Sequence, residues 1–298
     1  VADRLARFLA DDGSVRAVAA VTTDLCEEAR SRHGTFPTAT AALGRMLTSA
    51  LLLAATIKRD ERLSLEVSGD GPLRGMLAEG TPEGTTRGFV YRPKTDLPPR
   101  DGKLDVGGAV GSGILCVMRV PLAGGSLYRS VVPLVSGEIG VDVASYLTRS
   151  EQSPSAVGVG VLVGGDGTVR AAGGYLVQGM PGAPTDALDR LAARVERTAS
   201  PSELVRSGLG AAAMLATVLG ELPGRVLEER PVRFACRCSQ ERVRAAILAM
   251  GRAEITALIA EGRPAEAVCE FCNTAYVVAE AELRTLLAIE PDAPGSDA

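Results

Sequence analysis

Two close pairs of cysteines near the C-terminus constrain this chain more than any other feature. Cys236-Arg237-Cys238 and Cys269-Glu270-Phe271-Cys272 are separated by a 30-residue loop, residues 239 to 268. Such pairs can bring four thiolates onto one tetrahedral ion. Zinc, which sulfur binds at about 2.3 Å, is the metal this donor set favours. The second pair has zinc-ribbon spacing; the first, CxC, is tighter. Tight pairs can also close on themselves as disulfides, so the same four atoms can hold a metal or lose it to oxidation. In most four-cysteine modules the metal is structural, and spacing alone favours that reading. The energetics favour a switch. A module of about 60 residues buries too little surface to fold robustly unaided, and zinc supplies roughly 10–16 kcal/mol to a small module that is unfolded without it. Should an oxidant close each pair on itself, the rings would span three and four residues and contribute about 2 kcal/mol each at best. Bridging i to i+2 also lies near the limit of allowed Cα separation. Neither ring ties one pair to the other, so the module is expected to unfold.

At 298 residues the chain suggests two domains, or one plus an appended module. With 46% hydrophobic and 23% charged residues its composition is globular. The net charge is −4, and residues 231 to 298 carry seven Arg against ten Asp plus Glu. That balance argues against a nucleic-acid partner, which needs clustered Lys or Arg. Six cysteines are too few for a secreted disulfide scaffold, and Cys26 and Cys116 read as buried small hydrophobes. No N-terminal signal-peptide pattern is visible. The most apolar run, Met46 to Ile57, is short and flanked by Arg45 and Lys58, which makes it a buried helix and not a membrane span. A reducing cytoplasm is the expected location.

Along the chain, Ser14–Thr22 reads as a strand. Asp24 to His33 reads as a helix with Asp24 as N-cap and Gly34 past its end. Pro37 to Ile57 is a long helix packed on several sides, capped near Thr35. Leu63, Leu65 and Val67 alternate with polar residues as a strand before the turn Gly69-Asp70-Gly71-Pro72, after which Leu73–Ala78 returns. Strands are expected at 88–91, 113–121 and 126–134, a short helix at 141–148, and a hairpin of 157–163 with 168–177 about Gly164-Gly165-Asp166-Gly167. The fold class is α+β. It comprises an N-terminal mixed sheet-and-helix domain at 1–179, a helical linker at 180–229, a small C-terminal four-cysteine zinc module at 230–289 and a flexible tail at 290–298. The linker has an amphipathic helix through Leu188, Leu191, Ala192 and Val195, then a second, Ser202–Leu219, interrupted by Gly208 and Gly210. It reads as poor in apolar mass and weakly stable. In the last module, helices at 239–250 (Ser239 as N-cap), 253–261 and 279–289 surround the second cysteine pair.

Other constellations carry no chemistry. His33, the single histidine, sits at a helix end with no Ser-His-Asp arrangement around it. The run Gly107-Gly108-Ala109-Val110-Gly111-Ser112-Gly113 lacks dinucleotide spacing and a phosphate-binding Lys, and reads as a plain loop. Asp70 and Asp166 are turn residues, and Glu151 and Gln152 before Pro154 read as a solvated loop. No enzyme site emerges.

Several motifs in order carry a resemblance. They are Ser68-Gly69-Asp70-Gly71-Pro72-Leu73-Arg74, Tyr146-Leu147-Thr148-Arg149-Ser150-Glu151-Gln152-Ser153-Pro154, the segment Ala172 to Gly182, and Phe234 to Cys238 with Cys269 to Cys272. Together they resemble the heat-shock protein 33 family, the bacterial redox-regulated 33 kDa chaperonins. The resemblance implies a substrate-binding N-terminal domain and a C-terminal zinc redox switch. It implies an ATP-independent holdase, inactive when reduced and bound to one zinc ion. Oxidation would activate it through Cys236–Cys238 and Cys269–Cys272 disulfides, zinc release and linker unfolding. By position, Cys236, Cys238, Cys269 and Cys272 would be both metal ligands and redox-active pairs. Unfolding client proteins would be the partners, the active form a homodimer, with no nucleic acid and no membrane. One departure stands out: Asn273 follows the CxxC where family members often have Gly, a position Asn tolerates in the left-handed conformation. The alternative is a constitutive protein-interaction module with a purely structural zinc ribbon, and an RNA-binding variant ranks third.

Overall fold

The computed structural model of the chain describes residues 1–262 and 264–289. The tail expected at 290–298 lies outside the described residues. The chain divides into a first compact unit, Val1–Ala235, and a second that begins at Cys236.

The first unit opens with β1 (Arg4–Ala10), β2 (Val15–Val21), α1 (Thr23–His33) and α2 (Pro37–Ala54). β3 (Glu61–Gly69), β4 (Gly75–Gly80) and β5 (Thr85–Val90) follow, then α3 (Val106–Val110), β6 (Gly113–Pro121) and β7 (Tyr128–Pro133). Next come α4 (Gly140–Arg149), β8 (Ser155–Val163), β9 (Val169–Gly179), α5 (Thr185–Arg197), α6 (Pro201–Arg206) and α7 (Ala211–Leu219). β10 (Gly224–Pro231) and β11 (Arg233–Phe234) close the unit. Two sheets form, ordered β10-β1-β2-β9-β8 and β11-β5-β4-β3-β6-β7. Every pairing is antiparallel except β11 with β5.

α2 packs against strands of both sheets. Its only charge is Arg45, ion-paired with Glu138, and past Pro37 the rest of it is Ala, Leu, Met, Gly, Thr and Ser, so it is buried on all sides. Its three threonine hydroxyls are bonded, Thr48 to Thr22 at 2.8 Å, Thr40 to Thr35 at 2.6 Å, and Thr38 donating to Asp96 at 2.8 Å. Gly80 of β4 is needed for this packing, since a Cβ there would lie 2.5 Å from the Ala50 carbonyl oxygen. Leu63, Leu65 and Val67 face the core as their alternation predicts, and β6 and the β8–β9 hairpin fall where expected.

Several expectations change. β1 gave no sequence signal; it lies between β2 and β10. Asp24 lies inside α1, whose first turn is bonded instead by Asp3, reached from the start of β1, with Oδ2 accepting from the Leu25 N–H at 2.8 Å. Gly34 ends the helix at φ +56° as expected. The stretch 180–229 is not poor in apolar mass: Leu204, Val205, Met214, Leu215, Val218 and Leu219 are buried in one cluster with residues of β1, β2 and β9. Its last residues pair as β10 with β1. A face of small and aliphatic side chains needs little area per residue to become fully covered when it lies flat on a sheet. Within the glycine run, residues 106–110 form a helical turn, in which Asp105 accepts from the Gly108 N–H at 2.8 Å. No helix of the described residues is long and apolar enough to cross a membrane.

The second unit holds α8 (Gln240–Met250), α9 (Arg252–Ala260), the hairpin β12 (Ala265–Val268) with β13 (Ala275–Val278), and α10 (Glu280–Ile289). Its core is small: Ile247, Ile255, Val278, Leu283 and Leu286.

Candidate metal centre

Both cysteine pairs belong to the second unit. Cys236 and Cys238 lie in irregular backbone immediately before α8, so the alternation that would turn i and i+2 to one strand face does not govern them. Ser239 caps α8, its Oγ accepting from the Arg242 N–H at 3.3 Å, and the Arg242 guanidinium donates to the Arg237 carbonyl at 3.0 Å. The segment is thereby tied to the helix start. The second pair sits on the turn between β12 and β13. Cys269 N–H donates to the Thr274 carbonyl at 3.0 Å, and the N–H groups of Cys272 and Asn273 donate to the Cys269 carbonyl at 3.3 and 2.7 Å. Asn273 adopts φ +55°, the left-handed conformation expected of it.

These local turns bring all four Sγ atoms within 4.8 Å of one another. Cys236 and Cys269 approach to 3.7 Å, and Cys238 and Cys272 to 3.3 Å. A regular tetrahedron with zinc–sulfur bonds of about 2.3 Å has sulfur–sulfur edges of about 3.8 Å. The donor set is therefore the right chemistry at the right spacing for one zinc-sized, thiophilic cation. None of the four cysteines is in a disulfide; Cys272 is buried and the other three are partly exposed. A small polar reagent can reach those three.

Two of the thiols resist ionisation. Burial, then hydrogen bonds with Cys272 and Cys236, pushes Cys269 up to about 12, and burial likewise raises Cys238. A bound dication reverses this order, since it favours thiolate over thiol. Two hydroxyls lie against the sulfurs: the Tyr276 O–H donates to Cys238 Sγ at 3.0 Å, and Thr274 Oγ1 lies 3.2 Å from Cys272 Sγ. Neither was singled out from the sequence; the available signal was a hydroxyl residue within four positions of the CxxC.

The remaining candidates lie in the first unit. Cys26 and Cys116 are buried, and burial pushes the Cys26 thiol up to about 12. His33 is in the last turn of α1. Asp166 serves its own turn, accepting from the Thr168 N–H at 3.2 Å, whereas Asp70 ties its turn to a distant segment, accepting from the Ser112 N–H at 2.8 Å. Glu151 departs from expectation. It is a hub accepting from Tyr146 at 2.5 Å, Tyr128 at 3.0 Å and Arg119 at 2.6 Å, and no longer a solvated loop residue. Three donors converge because β6, β7 and α4 meet there, which spacing along the chain does not reveal.

Comparison with known proteins agrees with this geometry. A family model described as "Hsp33 protein" matches residues 3–279. The 33 kDa chaperonin of Symbiobacterium thermophilum is 51% identical over 278 residues, covering 93% of this chain and 94% of that one. That of Bacillus subtilis is 44% identical over 286 residues, covering 95% and 98%. The crystal structure of the 33 kDa chaperonin from Thermotoga maritima superposes with a TM-score of 0.89 at 37% identity, covering 97% of this chain and 98% of that one. With the family match running through both units and the four-sulfur cluster in place, the chain belongs to the Hsp33 family.

Proposed function

We propose that this chain is a redox-regulated, ATP-independent holdase that binds unfolding proteins and keeps them from aggregating. Residues 1–179 serve as the substrate-binding domain, 180–229 as the linker and 230–289 as the switch. Cys236, Cys238, Cys269 and Cys272 hold one zinc ion in the reduced, inactive protein. Bound zinc would supply the cross-link between the segment before α8 and the β12–β13 turn. Oxidation to Cys236–Cys238 and Cys269–Cys272 disulfides consumes all four ligands and leaves no bond between those segments. The module then loses its order, the linker follows, and the active chain pairs as a homodimer. A reducing cytoplasm, where the thiols persist, is the compartment this requires.

The observation that carries the reading is the gathering of four cysteine sulfurs, none in a disulfide and three of them partly exposed, at metal-binding distance from two segments far apart in sequence. All the sulfurs are mutually close, so distance alone does not choose the disulfide pairing; the pairing follows the family. The test measures zinc stoichiometry before and after peroxide beside light scattering of a denaturing client. Zinc loss together with new suppression of scattering is expected. A client suppressed equally by the reduced, zinc-loaded chain would refute the switch. The second reading, a constitutive interaction module with a structural zinc ribbon, draws on the module's own apolar cluster of Ile247, Ile255, Val278, Leu283 and Leu286. It predicts that zinc is retained through mild peroxide.

A further inference from the structure

A cavity of about 660 Å³ opens on the first unit, a size in the range of small-molecule sites. Its apolar wall is made by Leu53 of α2, Ile57 just past that helix, Val117 of β6, Leu147 of α4 and Leu188 of α5. α5 can close on β9 because Gly179 has no Cβ; one there would lie 2.8 Å from a Leu188 methyl carbon. Two guanidinium groups also line the cavity, Arg16 from β2 and Arg119 from β6. Their situations differ. Arg119 is neutralised by Glu151 at 2.6 Å. Arg16 lies opposite Gln178 in the β2–β9 ladder, and its Nε donates to the Gln178 side-chain oxygen at 2.9 Å. Gln178 is itself buried and donates to Ser155 Oγ at 3.2 Å. The amide thereby fixes the guanidinium plane, and the terminal nitrogens of Arg16 make no bond among the described residues. Asp189, the other lining carboxylate, is exposed and forms no described ion pair with it. Burial, then Arg7 and Arg119 nearby, hold Arg16 below its ordinary range, so an anion beside it would offset both.

We infer that this cavity binds a small amphiphilic carboxylate, its two oxygens forked on the terminal nitrogens of Arg16 and its apolar body against the aliphatic wall. A guanidinium presents parallel N–H groups that match a carboxylate, while the aliphatic wall offers nothing to the further oxygens of a phosphate. Burial of the apolar body supplies the remaining affinity. No residue of the four-cysteine module lines the cavity, so the site and its test are independent of the redox switch. Two sources present this chemistry: a free acid, and the C-terminus of a chain that ends in an aliphatic residue.

The test titrates the reduced, full-length chain with octanoate in a calorimeter, beside octanol, which lacks the charge, and acetate, which lacks the body. One octanoate per chain is expected. Octanol and acetate should each bind at least about tenfold more weakly, the least that a lost charge-assisted hydrogen bond or a lost apolar body costs. Arg16→Gln should weaken octanoate by about tenfold or more and leave octanol unchanged. Arg16→Lys keeps the charge without the fork and should fall between. Equal binding of octanoate and octanol overturns the proposal, as does an Arg16→Gln chain that holds octanoate as tightly as wild type. No saturable octanoate binding below about 1 mM also overturns it. The first and last of these are read on the wild-type chain, so they decide the matter even where Arg16→Gln does not fold. A tripeptide ending in leucine, as free acid and as amide, then separates the sources. Displacement of octanoate by the acid alone assigns a C-terminal carboxylate, displacement by neither assigns a free acid, and both uphold the site; equal displacement by acid and amide overturns it.

Discussion

Removing the metal under reducing conditions should unfold the second unit and leave residues 1–179 folded. Those residues supply all but β10 and β11 of the two sheets that pack around the largely buried α2. Among the described residues the second unit has a buried cluster of five aliphatic side chains. At about 1.5–3 kcal/mol each they contribute roughly 8–15 kcal/mol before any conformational entropy is charged against them. The metal contributes roughly 10–16 kcal/mol, as much as the whole net stability of an ordinary domain. Nothing of similar size replaces it. Trypsin reads the outcome, because Arg242 and Arg244 in α8, Arg252 in α9 and Arg284 in α10 are protected only while those helices persist. Where reclosing outpaces cleavage, losing even about 4 kcal/mol of opening free energy raises cutting about 10³-fold. Limited digestion with and without a chelator, read by mass spectrometry, should show new cuts at these arginines, while Arg87 in β5 and Arg119 in β6 stay intact. Equal cutting of Arg242 and Arg252 in the two conditions would refute the reasoning, since the module would then hold itself together.

Three further outcomes follow from single side chains. Burial pushes the Asp3 carboxyl up to about 6 from an ordinary 3.8. A carboxyl raised in the folded state binds more protons folded than unfolded, so stability should fall as pH rises from about 4 to about 6, by about 3 kcal/mol, and stay lower above. Asp3→Asn, which keeps an acceptor for Leu25, should flatten that dependence in denaturant melts; an unchanged slope counts against the buried-carboxyl assignment. Glu151→Ala strands Arg119 and two tyrosine hydroxyls and should cost about 2–3 kcal/mol, discounted for partial exposure, visible as a lower Tm of the first unit. Asn273→Ala should cost the knuckle about 1 kcal/mol and Asn273→Gly nothing, since only the first meets the left-handed penalty; competition for zinc against a chelator of known affinity ranks the three chains.

Local signals carried much of this protein. The two cysteine pairs announced the donor set; the alternation of Leu63, Leu65 and Val67 marked a strand; Gly164 to Gly167 marked a hairpin; Gly34 marked a helix end; Asn273 marked a left-handed turn. Each is legible because its physics is confined to a few neighbouring residues. Contacts between distant segments were not legible. Asp3 displaces Asp24 as the group that caps α1, and β1 gains β10 as a partner only after most of the first unit has been threaded between them. Glu151 becomes a hub because three elements converge on it, and Tyr276 reaches Cys238 only through the pleat and pairing of β13. Spacing determined which atoms can bind a cation together; the fold alone decided which hydroxyl lies against them, because a hydrogen bond depends on position in space and leaves no period in the chain.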